Sequence, residues 1–150
     1  MPSLFYVQNV DAVFNRIHNL RPESAARWGT MSAAAMLQHC RIITESMLLM
    51  KPSATAPSLR QRIVRNLMLN GILKIPRGRT MPKHIAQQMA AAGVPDFETE
   101  RTALLHALEA FAAFTGSMNG AHPHFGRMSH AEWGRFAWTH LDHHLRQFGV

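Results

Sequence analysis

The stretch Trp133-Gly134-Arg135-Phe136-Ala137-Trp138-Thr139-His140-Leu141-Asp142-His143-His144-Leu145-Arg146-Gln147-Phe148 decides how the chain is read. At about 100° per residue, a helix here gathers Trp133, Phe136, Ala137, His140, His144, Gln147 and Phe148 on one side. That side holds large aromatics and the most apolar stripe, so it faces a core. His140 and His144 therefore point inward one turn apart, a spacing at which two rings can share one metal ion. His143, at i, i+3 from His140, is ligand-competent too, but it sits some 60° off the stripe and reads as a rim or supporting residue. Asp142 reads as an outward, solvated charge.

Working backwards, Ser129 with Glu132 three residues on forms a capping box that starts this helix. The loop from Gly116 to Met128 reads as a Pro-containing turn that exposes His122 and His124. A further amphipathic helix spans about Asp96 to Met118. Acids open it, and Leu104, Leu105, Leu108, Phe111, Ala112 and Thr115 form its inner stripe. Near the start of the chain, Asn9 or Asp11 can cap a helix whose apolar positions are Val13, Phe14, Ile17 and Leu20. Ser32 caps another running to about Met50. On it His39 shares a face with Ala35, Met36, Ile42, Ile43, Ser46, Met47 and Met50. Cys40, turned 100° away, reads as a small buried apolar group. Trp28, Trp133 and Trp138 read as packing residues, with Trp28 also a candidate for lining a pocket.

Between the second and third long helices lies a connection of more than forty residues, long for a compact domain and so expected to carry structure. Leu59 to Leu73 reads as a basic amphipathic helix anchored by Ile63, Leu67 and Ile72, and Lys83 to Ala92 as a short helical turn. From Ser46 to Pro95 there is no acid but eight cations: Lys51, Arg60, Arg62, Arg65, Lys74, Arg77, Arg79 and Lys83. The net charge of +7 therefore belongs to this connection, since the other eight cations face all nine acids. Such a stretch can bind phosphates, an acidic substrate or an anionic surface. It has no interleaved aromatics for base stacking and no groove-reading motif, so a solvated crossover is the preferred reading over nucleic-acid binding.

The chain is expected to form one domain over residues 1–150, all-α, with four long amphipathic helices packed as a bundle. Its Ala, Leu and Met content favours helices, and β-branched runs are missing. The single Cys40 allows no internal disulfide. No secretory signal is visible, and nowhere do roughly 18 apolar residues follow one another. A cytoplasmic protein without a membrane partner is expected.

Trp28-Gly29-Thr30-Met31-Ser32 leading into Met36-Leu37-Gln38-His39, with His122-Pro123-His124-Phe125-Gly126-Arg127-Met128-Ser129, Glu132-Trp133 and the His140 to Phe148 segment, resembles the DinB/YfiT-like superfamily of metal-binding four-helix bundles. The likeness covers all four main helices and the long crossover between the second and third. It implies a divalent metal, zinc or nickel above others, held by His39 of the second helix and by His140 and His144 of the fourth. It also implies a small-molecule substrate, since characterised relatives include transferases and isomerases that use low-molecular-weight thiols. Homodimers are common among bundles of this type.

Three histidines leave at least one metal position open for water or substrate, the arrangement of a catalytic site. Such a metal activates bound water or thiol, so both thiol transfer and metal-assisted hydrolysis follow. No general acid or base is identifiable. The alternatives are a metal-binding module without turnover, three unconnected core histidines, or a basic protein for polyanions.

Overall fold

The computed structural model describes residues 1–78 and 80–150, so Arg79, one of the eight cations of the crossover, lies outside the described residues. Those residues form six α-helices and one two-stranded antiparallel hairpin. The fold is thus all-α in class, as its composition suggests.

Helix α2 (Ala33–Leu48) begins at Ser32, whose hydroxyl accepts from the Ala35 amide at 3.2 Å. Its buried residues are Met36, Leu37, Gln38, His39, Cys40, Thr44 and Met47 among others, and they run around most of its circumference. The single face expected from the sequence is therefore too narrow. Other helices cover α2 from several sides: α5 (Phe97–Ala112) along its length, α4 (Lys83–Ala92) and α6 (His130–Gln147) elsewhere. A helix enclosed this way has little polar face to show.

Asp96 caps α5 by accepting from the Thr99 amide at 2.9 Å. Leu104, Leu108 and Phe111 face the core, while Leu105 and Ala112 are only partly covered. The helix stops at Ala112, short of the Met118 expected from the sequence, and Thr115 is exposed outside it. Gly116, Asn119 and Gly120 lie in the following loop, where turn chemistry overrides the apolar period. The buried Met118 returns to the core from that loop.

The α2–α5 interface encloses an ion pair that periodicity does not reveal. Glu100 is buried and receives Arg41 Nε at 2.7 Å and Gln38 Nε2 at 3.3 Å.

Helix α1 (Val7–His18) packs on α5 and α6 through Val13 and Ile17. It starts earlier than expected, after Tyr6, and neither Asn9 nor Asp11 caps it. Asn9 instead donates its side-chain amide to the Ser3 carbonyl at 3.0 Å, tying down the segment before the helix. That segment lies against Gly134 of α6, whose carbonyl accepts from the Leu4 amide at 3.1 Å. A Cβ at Gly134 would collide with Phe5 and Ser3, which explains a glycine inside an otherwise strong helix.

In the crossover, Ser58 and Gln61 form a capping box for α3 (Leu59–Leu69). The expected anchors are corrected here. Ile63 and Ile72 are exposed and Leu67 is half-buried, whereas Arg65, Met68 and Leu69 are buried. Arg65 explains the rotation. It donates to the carbonyls of Phe125 and Arg127 and pairs with Glu132 at 2.9 Å, clamping the hairpin and the first turn of α6. The hairpin joins β1 (Ala121–His122) to β2 (Gly126–Arg127), with His122 opposite Gly126. None of the described helices is long and apolar enough to cross a membrane.

Candidate metal centre

Helix α6 starts at the capping box of Ser129 and Glu132, as its sequence foretells. His140 and His144 project from consecutive turns toward α2, where they meet His39. The ring centroids lie 5.1 Å (His39–His140), 4.8 Å (His39–His144) and 4.7 Å (His140–His144) apart. One nitrogen from each ring falls within 4.8 Å of the others. Residues separated by about a hundred positions in sequence are thus brought to one point by the packing of α2 on α6.

His39 and His144 are buried, and His140 is partly covered. Burial, followed by the charge of His143, pushes His39 down to about 4. Burial first, and then the charge of His39, pushes His144 down to about 3, against the opposing effect of its hydrogen bond to Gln147. His140 is held well below its usual value by burial and then by the neighbouring histidines. All three rings are therefore neutral at pH 7, the form in which imidazole binds metals, and His39 Nε2 and His140 Nε2 share a hydrogen bond at 3.2 Å that an ion would replace.

Hydrogen bonding selects which lone pair His144 offers. Gln147 Nε2 donates to the Trp28 carbonyl at 2.6 Å, and a carbonyl can only accept, so the amide orientation is fixed. Gln147 Oε1 then faces His144 Nδ1 at 2.9 Å and must accept its proton. That leaves the His144 Nε2 lone pair directed away from Gln147. The Arg27 amide also donates to the Gln147 carbonyl at 2.7 Å, so this one residue holds the loop before α2 by both main chain and side chain. Gly29, with φ +78°, completes the fit: a Cβ there would lie 2.9 Å from Gln147 Nε2. Gln147 stands on the apolar stripe read from sequence, three residues beyond His144, but no role was attached to it. A polar residue in that place was the available signal.

The donor set fits a divalent metal. Two nitrogens each about 2.05 Å from a tetrahedral ion are separated by about 3.3 Å, and His39 Nε2 lies 3.2 Å from His140 Nε2. The 4.8 Å span of the full set is wider, so closing on an ion requires a small ring movement. His39 Nδ1, moreover, is buried without a hydrogen-bond partner among the described residues. It is not the nitrogen that faces His140, so the fit to a metal rests on the Nε2 pair and on the convergence of the three rings.

His143 lies outside the cluster, as its offset suggests. It is half-buried, meets His144 edge-on at 5.0 Å and Trp28 at 5.6 Å, and borders a separate cavity. Asp142 is corrected: it pairs with Arg16 of α1 at 2.9 Å and with Arg146 at 3.3 Å, and its side chain is largely covered. Cys40 is fully buried against Met36, and burial pushes its thiol up. His122 is not simply exposed, for it stacks on Phe125 at 4.3 Å and meets Phe136 at 4.9 Å. His18 Nδ1 contacts the Phe14 carbonyl at 2.8 Å, and His130 stacks on Phe5 at 4.0 Å. Trp133 is core, while Trp28 and Trp138 line the cavity.

The fold and site define a helical protein that carries an internal cluster of three neutral histidines. The chain belongs to the family described as "Protein of unknown function (DUF1569)", which matches residues 3–149. No curated protein and no solved structure matches it.

Proposed function

We propose that His39, His140 and His144 hold one divalent metal ion, zinc or nickel, in a bundle of the DinB/YfiT-like type, and that the centre serves chemistry on a small molecule. The observation that carries this reading is the convergence of three desolvated, neutral imidazoles with a pair of nitrogens 3.2 Å apart. Three protein ligands leave a position open, which suits a reacting group better than a structural staple. When bound there, such an ion lowers the pKa of water or a thiol near neutral pH. The chain supplies the rest. Gln147 keeps the proton of His144 on Nδ1, and the packing of α2 on α6 excludes bulk water from His39 and His144.

Thiol transfer and metal-assisted hydrolysis are the two reactions proposed. The first draws on the resemblance to thiol-using relatives, the second on the general chemistry of an open three-histidine centre. Cobalt substitution tests both the site and the choice. A three-imidazole site with an open position gives visible d–d absorption, expected to vanish in His140→Ala. A low-molecular-weight thiol that binds the ion adds a sulfur-to-cobalt charge-transfer band in the near ultraviolet. Cobalt spectra identical for wild type and His140→Ala would overturn the site, and d–d absorption without the thiol band would leave hydrolysis.

A further inference from the structure

The basic crossover has no place in the metal cluster, and of its described cations only Arg65 is buried. Arg65 is consumed internally, as described above. Lys51, Arg60, Arg62 and Lys83 are exposed. Lys74 and Arg77 are exposed as well, but they line a cavity of about 820 Å³ that Trp28 of the loop before α2 and Trp138 and His143 of α6 also border. A volume of this size falls in the range of small-molecule clefts, about 300–1,000 Å³. The three histidines of the cluster do not line it, but His143 and Trp28 connect the two. His143 meets the His144 ring edge-on, and the Trp28 carbonyl holds the glutamine that orients His144.

The cavity has two kinds of wall. Leu73, Ile75 and Trp138 give it an apolar side. Opposite in character are Arg27, Lys74 and Arg77, for which no ion pair with an acid occurs among the described residues. The Arg77 guanidinium lies over the Trp28 ring, its central carbon 4.4 Å from the ring centroid, a cation–π contact that restrains it at the cavity wall. The lone acidic side chain on the lining, Asp142, is already engaged by Arg16 and Arg146. Uncompensated cations beside an apolar wall favour a ligand with the complementary division.

We infer that this cavity binds a small organic anion, an apolar body bearing a carboxylate, phosphate or sulfonate that meets Arg77 and Arg27, and so supplies the substrate class of the neighbouring centre. The link to catalysis rests on the metal reading above; the binding site itself does not. It also gives the basic crossover a purpose: the segment carries the cations that complete one wall.

Two fluorescent probes with a shared aromatic body test the inference on the intact protein: anilinonaphthalene sulfonate, an anion, and phenylnaphthylamine, its neutral counterpart. Wild-type protein is expected to bind the sulfonate more tightly than the amine, with the difference shrinking as salt rises. Arg77→Ala and Arg27→Ala are each expected to weaken the sulfonate about tenfold, the usual scale for losing one charge-assisted contact, and to leave the amine unchanged. Both side chains are exposed, so thermal unfolding should stay at the wild-type midpoint. Arg60→Ala, which removes a cation away from the cavity, is expected to change nothing. His140→Ala is expected to abolish metal binding while sulfonate binding persists, so the two readings fail separately. Equal affinity for both probes, or equal weakening by Arg60→Ala and Arg77→Ala, would overturn the anion site.

Discussion

Replacing Gln147 by leucine removes two hydrogen bonds at once: acceptance from His144 Nδ1 at 2.9 Å and donation to the Trp28 carbonyl at 2.6 Å. Leucine is close in size and apolar, so the change is mainly one of chemistry. Without its acceptor, the neutral His144 ring is free to move its proton to Nε2 and to rotate, and both spoil the lone pair offered to a metal. Loss of such a supporting partner typically weakens metal affinity about ten- to a hundredfold, or ~1.4–2.7 kcal/mol. The metal-free fold should suffer as well. A buried group left unpaired costs ~1–3 kcal/mol, and the half-exposed Trp28 loop can recruit water for its carbonyl, so a loss of about 2 kcal/mol is expected. Competition with a chromophoric chelator measures the first effect, and urea unfolding of metal-free protein measures the second. Gln147→Glu separates them. It keeps an acceptor for His144 but cannot donate to Trp28, so it should lose stability while holding metal nearly as well as wild type. A leucine variant that binds metal with wild-type affinity would refute the tautomer argument, however unstable it proved.

Acid should destabilise the metal-free protein in a defined window. The folded-state values of His39 and His144 lie below the ordinary 6.5, at about 4 and about 3. The unfolded chain therefore binds more protons between these limits, and stability is full above pH 6.5 and falls toward pH 4 by on the order of 3 kcal/mol for each of the two rings. Urea midpoints that do not move between pH 7 and pH 4 would contradict this. Glu100→Ala removes the carboxylate shared by Arg41 and Gln38 at the α2–α5 interface, and because Arg41 keeps Glu45 at 2.9 Å the loss in urea unfolding should be about 2 kcal/mol, with metal affinity unchanged. Gly29→Ala places a side chain at φ +78° and 2.9 Å from Gln147 Nε2. It should lower thermal stability by more than ~1 kcal/mol and weaken metal binding in the same chelator assay, because it presses on the residue that orients His144.

Helical periodicity carried a large part of the structure. The stripe from Trp133 to Phe148 located α6 and turned His140 and His144 inward, as the stripe of α2 did His39, while the grouping of the three came from the resemblance to metal-binding bundles. These features are local, set by a repeat of 3.6 and by caps three residues long. What the sequence hid was mostly non-local. Asp142 read as solvated because its partner, Arg16, lies on another helix. Arg65 read as one more surface cation because the carbonyls it holds belong to a hairpin about sixty residues away. The anchors of α3 differ for the same reason, since the buried Arg65, held by the hairpin carbonyls and by Glu132, faces inward in place of Ile63. Gln147 lay in plain sight on the stripe, but its meaning depends on the Trp28 carbonyl. The start of α1 moved because Asn9 found the Ser3 carbonyl, and α5 ended early, at its C-cap Ala113.

The most direct measurement is the metal content of protein purified without an affinity tag, taken beside its His140→Ala variant. Near-stoichiometric zinc or nickel in the wild type, lost in the variant and restored to the wild type alone when metal is added after chelation, is the expected result. Wild-type protein that contains no metal and takes up none when offered it would contradict the claim that these three rings form one centre.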